Sequence, residues 1–429
     1  MSKQLLSAKR TAHERVGIHT WHPYYGGFSE MFVKQTLSYL DTTKEDLILD
    51  PWGGSGTTAL VASRLGFTSI SIEINPVMAA FAAAKSPFVL QNQKLLRKFI
   101  SSLPDRLHPN QIPAQHSTPM INDDILSFFS EYFHVANSVG PRVSSVNASA
   151  QSTFLTPVST EPLMYPLVAF IRAIGFRTVR QNANVSGTSN PTWISQSSLR
   201  AKKKSPKELL SEITLMGSQM LEELSASYKN STPTNAIHIN GDCKKLPLAN
   251  SSITRIVTSP PYLTRIDYAV STAPELIAMG GESLLSQLRQ ETMGTTTITS
   301  ALKAQNLGWG AACNKFLNTV ANHESKSAKS YYWKNFIQYF SEVEASLKEM
   351  SRVTRKGGRG IVVVQNSYFK NVECKLSQIY VEIAETFGFK AQIVFRDLVG
   401  RGMASVNSRS RAYGNQKVYF EDFVLLVKY

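Results

Sequence analysis

Apolar positions along the chain alternate between strand-like runs and helix-like spacing. Leu47-Ile48-Leu49 is a short apolar run suited to a buried parallel strand, ended by Asp50-Pro51. From Thr57 to Leu65 the pattern turns helical, Gly66 closes it, and Ser69 to Ile72 predicts a second strand ending at Glu73. Ala236 to Ile239 predicts a third, stopped by Gly241-Asp242. A β-branched run through Val257-Thr258 then halts at Ser259-Pro260-Pro261-Tyr262. Phe336, Tyr339, Phe340, Val343 and Leu347 recur at helical spacing, which predicts a helix ended by Gly357-Gly358. "GIVVVQNSYF" is the following strand, and "AQIVFRDLV" and "FEDFVLLVKY" supply a terminal hairpin. Strands alternating with helices put the chain in the α/β class.

Between the second and third strands lies an insertion, about residues 88–235, far longer than such a connection needs. Helices are expected near Lys94 to Leu103 and Pro206 to Ser225. "SSVNASAQST" and "NANVSGTSNPTW" read as loops or surface hairpins. The expected organisation is a first part over residues 1–87, the insertion, and a second part over 236–429 with a smaller insertion at about 270–330.

Charge adds a partner class. The 429 residues carry a formal charge of +15, which favours a polyanion, with a basic but non-binding surface as the alternative. Lys202, Lys203 and Lys204 form the densest basic run, close after Trp193, and Arg401, Arg409 and Arg411 stud a serine- and glycine-rich loop. Both suit nucleic-acid contact, the arginines gripping phosphates; solvated loops are the plainer reading. Three separated cysteines with no CxxC spacing point to a reducing compartment and away from a metal site. With no signal peptide and no membrane-length apolar run, a soluble, cytoplasmic protein is expected.

The turn Gly53-Gly54-Ser55-Gly56 joins strand to helix, and an acid, Glu73, follows about twenty residues later. That is the βαβ unit of a nucleotide-type cofactor site. Glycines let backbone approach a ligand, and the acid is placed to accept hydrogen bonds from ribose hydroxyls. The spacing is not GxGxxG and no P-loop lysine follows, so an adenosine without phosphates fits best.

Asp50-Pro51-Trp52-Gly53-Gly54-Ser55-Gly56-Thr57-Thr58 resembles the first motif of S-adenosylmethionine-dependent DNA amino-methyltransferases, with Trp52 in place of the usual Phe. Ile72 to Pro76 is similar to their second motif. Thr258-Ser259-Pro260-Pro261-Tyr262 resembles their catalytic motif in its serine form, and Trp21 to Ser29 sits where the family carries its methionine-contacting segment. The resemblance covers about residues 18–87 and 236–429. It implies a Rossmann-like seven-stranded methyltransferase sheet with an antiparallel last strand; target recognition is expected in one of the two insertions, with the long one favoured over the one at about 270–330. The cofactor implied is S-adenosyl-L-methionine, held by Tyr24, Phe28, Asp50, Trp52, Gly53, Gly54, Gly56, Thr57, Glu73 and Asp242. For Asp242 a plain turn aspartate stays open.

The chemistry asks for such a corner. An exocyclic amino group is a poor nucleophile because its lone pair is delocalised into the ring, and two fixed acceptors can draw its hydrogens out of plane. In this segment they are the Ser259 hydroxyl and the Pro260 carbonyl, stiffened by the two prolines, while Tyr262 offers a stacking face. Duplex bases must be flipped to reach it. Asp267 and Tyr268, just beyond, are further candidates for the base pocket. In the family, serine goes more often with cytosine N4 than with adenine N6, so the expectation is an N4-cytosine DNA methyltransferase. An adenine or RNA enzyme and a catalytically silent nucleic-acid-binding module remain the alternatives. DNA is the implied partner, and a cognate restriction or defence component an open one. The cofactor-first motif order departs from the permuted order common among serine-type enzymes, and the third-strand aspartate lies after the insertion.

Overall fold

The computed structural model describes residues 7–23, 27–107, 120–138, 165–187, 194–196, 203–234, 236–263, 267–298, 304–399 and 417–429. Helix α1 (Glu30–Tyr39) leads into β1 (Leu47–Asp50), α2 (Thr57–Arg64), β2 (Thr68–Glu73) and α3 (Pro76–Ala83). The insertion contributes α4 (Pro87–Gln91), α5 (Gln93–Ser101), α6 (Asp123–Ser138), α7 (Pro166–Asn182), the hairpin β3 (Val185–Gly187) and β4 (Ile194–Gln196), and α8 (Pro206–Ser227). Then come β5 (Ile237–Asn240), β6 (Ile253–Thr258), α9 (Ala273–Glu291), α10 (Ala311–Ala321) and α11 (Trp333–Val353). The chain ends with β7 (Thr354–Gln365), the hairpin β8 (Ser367–Phe369) and β9 (Val372–Cys374), α12 (Leu376–Thr386), β10 (Phe389–Val399) and β11 (Tyr419–Lys428).

Seven strands form one sheet in the order β10-β11-β7-β6-β1-β2-β5. Neighbours from β5 to β7 run parallel; β11 alone is antiparallel to its neighbours β7 and β10. This is the Rossmann-like methyltransferase sheet expected from the sequence. Because β1, β2, β5 and β6 run the same way, Asp50, Glu73, Asn240 and Thr258 all emerge at one edge. That carboxyl edge is where open α/β sheets bind ligands.

Both faces are covered. Ile48, Val257, Ile361, Val363 and Phe423 pack against α1 and α2, while Leu49, Ile72, Val362 and Val424 face α11 and α12. A third apolar cluster joins α3 to the insertion helices through Phe81, Phe129, Phe170, Ile174 and Met220, and takes in Leu276 of α9. The insertion is thereby packed onto the cofactor-side helices rather than hung from them.

Two expectations fail locally. The helix read as ending at Gly357-Gly358 stops at Val353, and the glycine pair lies inside β7. There the register with β6 jumps from Ile253↔Thr354 to Arg255↔Arg359, so Arg355 to Gly358 bulge outward, and Gly357 supplies the positive φ of 78°. Among its described residues the insertion also holds α4, α6 and α7, which the periodicity did not predict. Leu167 to Ala169, Phe170, Ile171, Ala173, Ile174, Phe176 and Val179 are buried nearly all round α7, which erases an amphipathic stripe. Among the described residues no helix is long and apolar enough to cross a membrane.

Candidate active site

Where β1 ends, the chain turns back on itself over β2. Gly53 N–H donates to the Ile72 carbonyl at 2.8 Å, and Gly54 N–H donates to Glu73 Oε2 at 2.8 Å. The other Glu73 oxygen accepts from Asn75 N–H at 2.8 Å, and Asn75 Oδ1 caps α3 by accepting from Val77 N–H at 3.0 Å. Gly56 enters α2 at φ 79°. Burial pushes the Glu73 carboxyl up to about 7 against these backbone donors. Burial likewise raises Asp50 to about 6, although Thr258 Oγ1–H donates to it at 2.6 Å. That bond ties the end of β1 to the end of β6.

Beyond Thr258 the Ser-Pro-Pro-Tyr corner is fixed from several elements. Ser259 Oγ lies 3.0 Å from the Val363 carbonyl of β7 and 3.3 Å from the Tyr262 hydroxyl. Tyr262 in turn donates to Glu421 Oε1 of β11 at 3.1 Å. Tyr339 of α11 donates to the Pro261 carbonyl at 2.8 Å, so that carbonyl is already engaged.

The glycine turn and the corner share two adjoining cavities. One is lined by Trp52, Glu73, Asp242, Ser259, Tyr262 and Tyr268, among others, and holds about 900 Å³ with its open mouth included, the scale of a small-molecule site. The second lies against Phe28, Asp50, Gly53, Gly54, Thr57 and Ser259. Trp52 and Ser259 border both. Two buried polar atoms on these walls, Trp52 Nε1 and Ser55 Oγ, have no hydrogen-bond partner. Unsatisfied polar side-chain atoms beside the glycine backbone that lines the cavity suit a polar ligand with an apolar body.

Most of the sequence-predicted cofactor residues thus meet at one sheet edge. Asp242 Oδ1 accepts from Lys244 N–H at 2.8 Å and its carboxylate lies 3.4 Å from Lys244 Nζ. Asp267 does not line either cavity: it is buried and accepts from Arg289 Nε at 2.9 Å and Val270 N–H at 3.2 Å. Tyr268, by contrast, does. Lys203 is exposed, and Lys204 is ion-paired to Glu212 of α8. Tyr24, Lys202, Trp193, Arg401, Arg409 and Arg411 lie outside the described residues.

The sequence reading missed the cations beneath the turn. Arg10 donates to Thr57 Oγ1 at 2.7 Å and to the Phe28 carbonyl at 3.2 Å. Lys85 is buried, donates to the Ser55 carbonyl at 2.7 Å, and is pushed down to about 7 by burial and by Arg10. A lysine directly after the apolar run Val77 to Ala84 is a usable signal for such a role; Arg10 has none.

Comparison with known proteins bears on this site. The DNA methylase family model matches residues 28–84, the stretch that carries Asp50, the glycine turn and Glu73. The chain is 22% identical to the Type II methyltransferase M.BsoBI of Geobacillus stearothermophilus over 88% of its length and 80% of that protein. These matches support an amino-methyltransferase of the DNA methylase family. To the Type II methyltransferase M.AvaI of Nostoc sp. the chain is 21% identical, over 90% of its own length and 82% of that protein. To M.MjaII of Methanocaldococcus jannaschii it is 39% identical across 19% of the chain and 14% of that protein. The methylase is an amino-methyltransferase, and its methyl donor is S-adenosylmethionine.

Proposed function

We propose that the methylase transfers a methyl group to the N4 amino group of a flipped cytosine in DNA. The observation that carries this reading is the placement of the Ser259–Tyr262 corner and the glycine turn on the walls of shared cavities. S-adenosylmethionine supplies an electrophilic sulfonium methyl when bound. Gly53, Gly54, Gly56 and Thr57 give its methionine end a close backbone approach, covered by Phe28 and Trp52, with Asp50 holding the turn through Thr258. Glu73 accepts from the ribose hydroxyls, and Asp242 from the adenine amino group. Tyr24 and the basic residues Lys202 to Lys204, Arg401, Arg409 and Arg411 remain assigned by sequence alone, the first to the cofactor and the others to the DNA backbone.

At the reacting amino group the Ser259 hydroxyl oxygen accepts one N–H. Pro261 O is taken by Tyr339, which leaves Pro260 O for the other. Held between two fixed acceptors, the nitrogen is drawn toward tetrahedral geometry before it attacks, and no reorganisation is needed at that moment. Serine in place of the acidic or amide residue common in adenine enzymes favours cytosine. The Type II names of the relatives support a restriction-modification setting with a cognate nuclease.

The test is nucleoside mass spectrometry of unmethylated bacterial DNA after incubation with the methylase and labelled S-adenosylmethionine. Label in N4-methylcytosine is expected; label confined to N6-methyladenine, or to RNA nucleosides in a parallel reaction, overturns the assignment of the base or of the polymer.

Cofactor affinity should also depend on pH. With Glu73 raised to about 7 in the free protein, its carboxylate is the better acceptor for ribose hydroxyls, and protonation removes it. Affinity is therefore full above about 7 and weakens as pH falls through that value, by up to about tenfold for each unit below. Calorimetric titration at pH 8 and pH 6 measures it, and equal constants at both would remove Glu73 from the ribose site.

A further inference from the structure

Glu421 is a buried acid that the cofactor and base assignments leave unused. Its side chain is 2% exposed, its Oε1 accepts from Tyr262, and its Oε2 has no hydrogen-bond partner. A carboxylate is rarely left this far from water without a task. The hydrogen bonds run in one direction: Ser259 Oγ–H can point to the Tyr262 oxygen at 3.3 Å, and Tyr262 O–H points to Glu421 at 3.1 Å. Ser259 shares its proton between that oxygen and the Val363 carbonyl at 3.0 Å by turning one bond.

We propose that Glu421 is a positioning residue and the terminal proton acceptor of the methyl transfer, reached from the reacting amine through Ser259 and Tyr262. The inference rests on the reading that Ser259 faces the reacting amino group. After transfer that nitrogen bears the new methyl, two hydrogens and a positive charge. One N–H bond breaks and its electron pair stays on nitrogen, which becomes neutral. The proton forms an O–H bond with Ser259 while the serine's own proton moves to the Tyr262 oxygen and the tyrosine's proton to the Glu421 carboxylate. Serine and tyrosine end unchanged, and Glu421 ends as the neutral acid. Lys9 Nζ, 3.9 Å from Glu421 Oε1 and partly exposed, marks the side from which solvent can reclaim the proton.

Among the described residues the charged neighbours of Glu421 are few. On β10 its register partner is Asp397, on β7 the uncharged Gln365, from the amino-terminal segment comes Lys9, and from the corner Tyr262. Burial lifts the carboxyl above the usual range, Lys9 and Tyr262 pull it down, and Asp397 adds to the rise. The group is thus a stronger base than an exposed glutamate.

The experiment uses the full chain, unmethylated bacterial DNA and S-adenosylmethionine saturating at every pH, so that Glu73 does not enter. Single-turnover methyl transfer is followed from pH 5 to 9 for the wild type, Glu421→Gln, Tyr262→Phe and Ser259→Ala. The wild-type rate should fall on the acid side as Glu421 takes up a proton. Glu421→Gln and Tyr262→Phe should lose at least about tenfold at pH 8 and lose the acid limb, while cofactor and DNA affinities stay within about twofold, a bound we set from the buried isosteric change. A wild type without an acid limb, a Glu421→Gln variant at wild-type rate, or one that is slower but keeps the limb each overturns the relay. If Ser259→Ala is inactive while Glu421→Gln transfers normally, only the relay fails; if Ser259→Ala transfers normally, the reading of the corner fails with it.

Discussion

Arg180→Met is expected to cost about 3–5 kcal/mol of stability, because it strands a buried charge. Arg180 projects from α7 and holds both oxygens of Glu275 on α9, each at 2.7 Å. Glu275 is fully buried, and its remaining neighbour is His22, with Nε2 at 3.4 Å. Burial works against the Glu275 charge, but Arg180 and His22 outweigh it and hold the carboxyl below its usual range. A carboxyl depressed in this way stabilises the fold at pH above its unfolded value, and the contribution is lost as pH falls through the folded one. Without Arg180 the same carboxyl becomes a buried unpaired acid, which gains by taking up a proton. The deficit of the variant should therefore be largest near neutrality and shrink in acid, as urea midpoints at pH 7 and pH 4.5 will measure. Arg180→Met combined with Glu275→Leu should recover much of the loss, since apolar replacement of a whole buried pair is often neutral. A single variant less than about 1 kcal/mol below wild type, within the range of an exposed pair, would show that the pair is idle.

The consequence reaches the site. Arg180 also donates to the Ser271 carbonyl, and Asn75, on the cavity wall beside Glu73, donates to Thr272 at 2.9 Å. One buried polar cluster thus fastens an insertion helix to the segment after the Ser-Pro-Pro-Tyr corner and to the end of β2. A shift of α7 would be felt at both halves of the site through these bonds.

The difference between what the sequence reveals and what it hides follows from range. β1, β2, β5 and β6 are short β-branched or aliphatic runs that stop at a proline, a glycine or an acid, so strand, stop and site residue are written next to one another. The glycine turn and Glu73 lie 19 residues apart and yet bond directly, because one βαβ unit brings them back together. Glu421 and Tyr262 are separated by 159 residues, Arg180 and Glu275 by 95, and no local period relates them. Nor could the pattern find α7, whose apolar residues surround it because it is packed on several sides by α3, α6 and α8. The Gly357-Gly358 pair reads as a helix stop for a related reason: a bulge in β7 needs the same glycine freedom as a helix end, and only the register against β6 separates the two.

Gly56→Ala should abolish useful cofactor binding and destabilise the fold, whereas Gly53→Ala should be correctable. At Gly56 the backbone φ is 79°, which costs an L side chain about 1–2 kcal/mol. A Cβ there would also sit 2.7 Å from the Ala82 Cβ and 2.9 Å from its Cα, overpacking worth about 1–3 kcal/mol. Ala82→Gly removes the first contact but not the second, and it leaves the φ strain untouched, so the double variant should stay poor. Gly53 has no such backbone strain. A Cβ placed on it meets the Ser71 hydroxyl at 2.0 Å, while the next atoms, the Ile72 carbonyl oxygen and Ser71 Cβ, stand at 3.3 Å. Ser71→Ala deletes the offending oxygen, and Gly53→Ala with Ser71→Ala should regain most of the stability and S-adenosylmethionine affinity that Gly53→Ala loses. Urea midpoints and calorimetric titration of the two pairs separate the cases. Rescue at Gly56 as complete as at Gly53 would mean that the turn tolerates a side chain, and that its close approach to the methionine end is not what these glycines provide.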